Sequence, residues 1–275
     1  MRVKNNAHFP KSYGASLMRS IPVGFCLSLA LMVVCYIRAL YSLSVKPGNS
    51  VSVCMPATRK DFESGVLQKS IESVLDQTSP PDEFILVLTG VPASEQAGVK
   101  ASVTSLAGNL QLTLIVHETL QNQAQSRNEA IALVRSGIVC FFDSDDVMHT
   151  RRLAAMKSQF ADEDVSLVLH NCTMDFSDTT WYSRDVTEKV QISGKEVVCQ
   201  SELETRGRQM ALNIWVHHAH CSVRKAHLAN HKFDDSPALH RFEDAMFVRK
   251  FPAQICPTAR RAHFIPAHLS RYRSG

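Results

Sequence analysis

Two hydrophobic periods alternate along this chain. "VSVCMPA" (51–57), "EFILVLTG" (83–90), "QLTLIVH" (111–117) and "IVCFFDSDD" (138–146) are short apolar runs rich in β-branched and aromatic residues. Each is bounded by turn-forming or polar residues and predicts a buried strand. Between them, "ESGVLQKSIESVLDQT" spaces Val66, Leu67, Ile71, Val74 and Leu75 at helical intervals. "NQAQSRNEAIALVRSG" predicts a second helix, with Gly137 as its C-cap. The stretch from Val91 to Leu110 shows no clear period and reads as variable. Strands alternating with helices of these lengths imply an α/β fold of three layers around a mostly parallel sheet. Ligands of such sheets bind beyond the C-terminal ends of the strands, where Asp143 to Asp146 stand. The second half is less regular. "HTRRLAAMKSQF" predicts a helix, "VSLVLHN" a strand and "KVQISGKEVV" further strands. "NIWVHHAHCSVRKAHL" runs from strand toward helix, and "HRFEDAMFVRKF" is a helix with an acidic start.

One apolar run has a different character. Ile21 to Ile37, "IPVGFCLSLALMVVCYI", is uninterrupted and uncharged. It is at the short end of what crosses a bilayer as a helix, and Arg38 can snorkel to the interface. Arg2, Lys4, Lys11 and Arg19 precede it without an acidic residue, which orients the N-terminus toward the cytoplasm. The expected organisation is a cytoplasmic tail (1–20), a signal anchor and stem (21–45) and a folded domain (46–275). That makes a single-pass type II membrane protein with a luminal domain, in the Golgi or ER. A cleaved signal peptide and a buried core helix are the competing readings. The sequon Asn171-Cys172-Thr173 fits luminal exposure.

Composition narrows the function. The 275 residues are 45% hydrophobic and 20% charged, which suits a globular domain with a sizeable core. A net charge of only +4 with interspersed signs argues against a nucleic-acid partner. The eight cysteines contain no C-x-x-C pair, so a zinc ribbon or thioredoxin-like site is excluded. Cys172, Cys199, Cys221 and Cys256 could form disulfides in a luminal domain.

The candidate chemistry lies in "CFFDSDD". Two carboxylates one residue apart in a tight turn can face one pocket. Mg²⁺ and Mn²⁺ take oxygen ligands, commonly one or two carboxylates plus substrate phosphates. A cation so held offsets the charge of a leaving diphosphate. Taken alone, the same acids also suit an ordinary solvated strand end.

The order of segments resembles the inverting family 2 glycosyltransferases of the GT-A fold. The motifs that carry the likeness are "VSVCMPATR" (51–59), "SIESVLDQTSPPDEFILV" (70–87), "SRNEAIALVRSGIVCFFDSDD" (126–146), "FEDAMFVRK" (242–250) and "HLSRYR" (268–273). The resemblance implies a nucleotide-sugar donor, a glycan, protein or lipid acceptor, and a divalent metal, Mn²⁺ or Mg²⁺. It implies that Asp143 contacts the ribose or donor sugar, that Asp145 holds the metal, and that Asp146 supports the loop or binds donor hydroxyls. Pro56, Thr58, Thr89, Ser144 and Arg127 would line the donor pocket, with Arg273 toward the phosphates. Asp244 would be the general base that deprotonates the acceptor hydroxyl, with Glu243 orienting acceptor or donor. Trp215 and His217 of "WVHHAH" fall where acceptors dock. The chain departs from the family at the end of the second strand, where Thr89 and Gly90 replace an acidic residue, and after the terminal "YR", where no His follows.

Two rivals remain. "DSDDV" also fits the nucleophile motif of haloacid-dehalogenase-like phosphatases, with Asp143 attacking. The loss of the second-strand acid suits a transferase-like binding or assembly subunit without activity.

Overall fold

The first apolar run becomes β1 (Val51–Thr58), buried at every position but the last. A short helix α1 (Arg59–Glu63) and a longer α2 (Val66–Leu75) follow. Then come β2 (Glu83–Thr89), α3 (Gln96–Ala107), β3 (Leu112–Val116), α4 (Gln123–Leu133) and β4 (Ile138–Phe141). The remaining elements are β5 (Val147–Met148), α5 (Arg152–Gln159), β6 (Val165–Thr173), β7 (Val190–Ser193), β8 (Cys221–Arg224) and β9 (Arg261–Arg271). This computed structural model describes residues 48–174, 190–193, 218–228, 231–236, 238, 243, 247 and 261–272, all within one unit, Val45–Gly275. The expected tail and anchor (1–45) lie outside the described residues. Among the described residues, no helix is long and apolar enough to cross a membrane.

The strands form one sheet in the order β3-β2-β1-β4-β8-β6-β9-β5, with β7 on β9. The β1–β2, β2–β3 and β1–β4 ladders are all parallel, as strand–helix alternation requires. Beyond β4 the chain reverses: β8 runs antiparallel to both β4 and β6, and β9 then returns parallel to β6. Alternating side chains divide the core between two faces. Val53, Met55, Leu86 and Leu88 pack against Leu67, Ile71 and Val74 of α2, Val103 of α3 and Met156 of α5. Cys54, Val87, Val139 and Phe141 pack against Ala130 of α4 and against Phe233 and Phe247. The result is the expected three-layer arrangement.

Pro56 sits inside the central strand β1, where a missing N–H should break a ladder. Its parity explains why it does not. Cys54 faces β4, since its carbonyl accepts the Phe142 N–H, and Pro56, two residues on, faces the same side. By then the β1–β4 ladder has ended, at Cys54 opposite Phe141.

Three expectations change. The stretch from Val91 to Leu110 contains α3, which buries only Val99, Val103 and Ala107, a four-residue spacing too sparse to stand out. The helix expected over residues 63–78 is broken at Gly65, whose φ of 75° separates α1 from α2. Gly137 is not a C-cap, because α4 already ends at Leu133, with Val134 extended after it. Gly137 is small for another reason: a Cβ there would stand 2.7 Å from the Gly48 carbonyl oxygen.

Candidate active site

The acid-rich turn leaves β4 at the C-terminal end of the parallel strands and is tied down from beneath by α2. The Ser70 hydroxyl lies 2.7 Å from the Ser144 carbonyl and 2.6 Å from the Asp146 carbonyl, so its single proton is shared between them. Ser73 Oγ accepts the Met148 N–H at 3.0 Å. Gln77 donates to the His149 carbonyl at 2.7 Å and accepts the Leu153 N–H at 3.0 Å. Leu67, Ile71 and Val74 hold the helix to the sheet, at roughly 1.5–3 kcal/mol per buried side chain. The polar residues on the same buried face contribute their bonds to the loop instead.

A second tie comes from α1. Asp61 Oδ2 accepts the Thr58 N–H at 2.8 Å and the Thr58 hydroxyl at 2.9 Å, which closes a capping box, and it also accepts the Ser144 hydroxyl at 3.0 Å. The two expected donor residues Thr58 and Ser144 therefore meet at one carboxylate, Asp61, that lies outside the expected site. The Thr58-x-x-Asp61 spacing was its signal.

The centre of the site is Arg127. Its side chain is 1% exposed and projects from α4 between two acids. One terminal nitrogen lies 3.1 Å from Asp143 Oδ1, and the other lies 3.3 Å from Glu243 Oε1. Gln123 Oε1 accepts a further bond at 2.6 Å, and the guanidinium lies 5.3 Å from the centre of the Phe233 ring. Two expected halves, the donor loop and the "FED" segment, thus converge on one cation. Among the described residues, neither Arg127 Nε nor Glu243 Oε2 has a hydrogen-bond partner, although both are buried. Asn128, next in sequence, is spent on the fold: it exchanges two 2.9 Å bonds with the Phe233 backbone.

The other expected residues are placed as follows. Asp145 is half-buried and Asp146 is fully buried. Pro56 is buried within β1. Thr89 is 1% exposed, and its hydroxyl lies 3.4 Å from the Ala57 carbonyl, so its side chain faces the neighbouring strand. Asp244, Trp215, His217 and Arg273 lie outside the described residues. Among the described residues, no group of three or more His, Cys, Asp or Glu side chains is placed to hold a metal. Hard oxygen ligands are nevertheless present at Asp143, Asp145 and Asp146.

Beneath the loop lies a layer that composition did not reveal. Arg152 is fully buried and bonds the Phe141 and Ala219 carbonyls and the Ser270 hydroxyl at 2.7–2.9 Å. It thereby fixes the end of β4, the turn before β8 and the end of β9 to one point. Burial, then the Arg152 charge, pushes the His170 pKa well below its usual value, despite a 2.7 Å bond from the ring to the Asn171 carbonyl. His220 lies 5.4 Å from His170, centre to centre. Two histidines of β9 differ in their settings. His263 is buried against Gln159 at 2.9 Å, whereas His268 is exposed on β9 opposite Asn171.

Two residues read as fitting a luminal domain are placed here. Asn171 of the sequon is 4% exposed within β6, so the folded chain does not present it. Cys172 is a free thiol, pushed up to about 11 by burial and by nearby Asp146. Cys199 and Cys256 lie outside the described residues. The phosphatase reading also fails on topology, because its nucleophile belongs after the first strand and Asp143 follows β4.

Comparison with known proteins agrees with this geometry. The sequence model described as glycosyl transferase family 2 matches residues 52–230. No curated protein matches the chain. Among solved structures, Staphylococcus aureus TarS in complex with UDP superposes with a TM-score of 0.56 at 15% identity, over 82% of this chain and 61% of that one. The TarS complex with UDP-GlcNAc gives 0.54 at 16%, over 82% and 59%. A mannosyltransferase from Pyrobaculum calidifontis, in complex with GDP-Man and Mn²⁺, gives 0.50 at 18%, over 87% and 64%. At these identities the likeness is one of fold, and the chain spans less than two thirds of each of these structures.

Proposed function

Because the chain belongs to glycosyl transferase family 2, we propose that it moves a sugar from a nucleotide-sugar donor to an acceptor hydroxyl with inversion at the anomeric carbon. The observation that carries this reading is Arg127, which joins the donor loop at Asp143 to Glu243, the neighbour of the proposed base. Asp143 would accept hydrogen bonds from the donor's ribose or sugar hydroxyls, with its carboxylate held in place by Arg127. Asp145, half-buried on the same turn, would hold Mn²⁺ or Mg²⁺ together with phosphate oxygens. When bound, that cation would offset the charge that builds on the leaving diphosphate. Asp244 would take the proton from the attacking hydroxyl, and Glu243, anchored through one oxygen, would orient the acceptor through the other. The ties from Ser70, Ser73 and Gln77 keep the turn in one conformation, so little ordering is left to be done on binding. The N-terminal run would anchor the domain as a type II protein, which protease protection in microsomes checks directly.

The decisive measurement is release of nucleoside diphosphate from UDP- and GDP-sugars by the full chain, with and without Mn²⁺. The expected result is metal-dependent release that Asp145→Ala abolishes. Failure of any nucleoside diphosphate to shift the melting temperature would favour the inactive binding subunit. That outcome has its own observation: the second-strand position is a buried, neutral Thr89.

A further inference from the structure

A polar groove of about 860 Å³ opens beside α4, between the loop after β3 and residues 232–235. Its walls are bonded to each other. Asn122 Nδ2 donates to the Asp235 carbonyl at 3.1 Å, and Asn128 exchanges its two bonds with Phe233. The groove is therefore a built feature with a fixed width.

The side chains lining it keep unused hydrogen-bonding capacity. Gln121 and Gln125 use their carbonyl oxygens within the fold, on Ser126 and Asn122, which leaves their amide N–H groups available. Glu129 gives one oxygen to His117 at 2.8 Å and keeps the other. Lys232 and Asp235 are exposed, and their side chains make no bond to the described residues. Leu120, 71% exposed, borders the same cavity and supplies an apolar surface.

This chemistry selects among ligands. Lys232 is balanced by Asp235 and Glu129, so a polyanion such as a phosphate chain or nucleic acid gains no net attraction. The lining is too polar for an apolar ligand. Donors and acceptors interleaved around one apolar side chain match a neutral polyhydroxyl chain, whose rings offer hydroxyls at the edge and C–H groups on the face. We propose that this groove is a carbohydrate subsite that holds a neutral oligosaccharide outside the reaction centre. Calling that ligand the acceptor rests on the transferase reading; binding by the groove does not.

The test is saturation-transfer NMR on the full chain with maltotetraose and with the tetramer of β-1,4-linked N-acetylglucosamine, without donor. Wild type is expected to bind at least one of them, and Lys232→Ala combined with Asp235→Ala to bind it at least fivefold more weakly. Leu120→Arg, which fills the rim, should abolish the signal. These positions carry no side-chain bond within the described fold, so melting temperatures should stay within a degree or two. UDP and GDP binding, followed in parallel, reports on the donor site and should be unchanged. Tetrasaccharide binding without binding of either UDP or GDP would uphold the groove and sink the transferase reading. Absence of binding by either tetrasaccharide, or binding undiminished in all variants, overturns the subsite.

Discussion

Two carboxylates lose their water at opposite ends of the sheet, and their surroundings differ in kind. Glu83, 2% exposed at the start of β2, accepts the backbone N–H groups of Arg135 and Ser136 at 2.9 and 3.0 Å. It also accepts the Ser52 and Ser136 hydroxyls and the Arg135 guanidinium, at 2.5, 3.1 and 2.5 Å. Burial alone would raise its pKa, but these donors outweigh burial and bring it down to about 2. Glu243, 7% exposed at the other end, has one 3.3 Å contact with Arg127 and a second oxygen without a hydrogen-bond partner among the described residues. A saturated buried carboxylate stabilises the fold and can do little else. An unsaturated one costs stability and keeps capacity for another molecule.

The sharpest way to break this contrast is Arg127→Met. Removing the cation leaves the buried Glu243 and the half-buried Asp143 without their shared partner, a loss of about 3 kcal/mol, the low end for a broken buried pair. Sugar-nucleotide turnover per folded molecule should also fall at least a hundredfold, read by diphosphate release normalised to the native fraction. Glu83→Gln should cost on the order of 3 kcal/mol in urea unfolding, the size of the pKa depression, and leave turnover of the folded fraction unchanged. Equal losses of turnover in both variants would erase the distinction between the two ends.

Acid titration sharpens the same comparison. His170 stays neutral when folded but gains a proton when unfolded, so stability should decline below its usual value of 6.5, by about 1.4 kcal/mol per pH unit. Glu83 acts later. Its contribution is complete above its ordinary 4.5 and is lost as pH falls toward 2. Urea midpoints measured from pH 8 to 2 should therefore fall in two stages, with His170→Phe removing the first. Gly137→Ala, which drives a methyl into the Gly48 backbone, should cost about 2 kcal/mol at most positions of relief. Ser70→Ala should cost about 1 kcal/mol, and should raise the KM for donor more than it lowers kcat, because it loosens only the acid turn.

The parallel half was legible because each of its signals is local. β1, β2, β3 and β4 are short apolar runs, and a run of that kind becomes a strand wherever helices cover both faces. What escaped were the long-range relations. Nothing near Gly137 announces Gly48, and nothing near Arg152 announces that Phe141, Ala219 and Ser270 would surround it. The site divides the same way. Asp143 and Asp145 follow from the strand end, whereas the serines and glutamine of "SIESVLDQT" carry no signal of their own beside the apolar spacing of the helix. Ser70 and Ser73 in fact share its buried face, and Gln77 is buried just past its end. Arg127 was expected beside the acid turn, but its grip on Glu243 is a contact across 116 residues that no spacing rule supplies.

Asn171 has a consequence for how this protein's address in the cell should be assayed. Its acceptor amide is interior to β6, so an oligosaccharide could be attached only while that strand is still unpaired. Occupancy at this position would thus act as a stopwatch on folding, high when β9 docks slowly onto β6 and near zero when it docks fast. A bare Asn171 would then record quick closure of the sheet, and a sequon moved to an exposed residue such as Lys60 becomes the proper marker of whether the domain enters a glycosylating compartment.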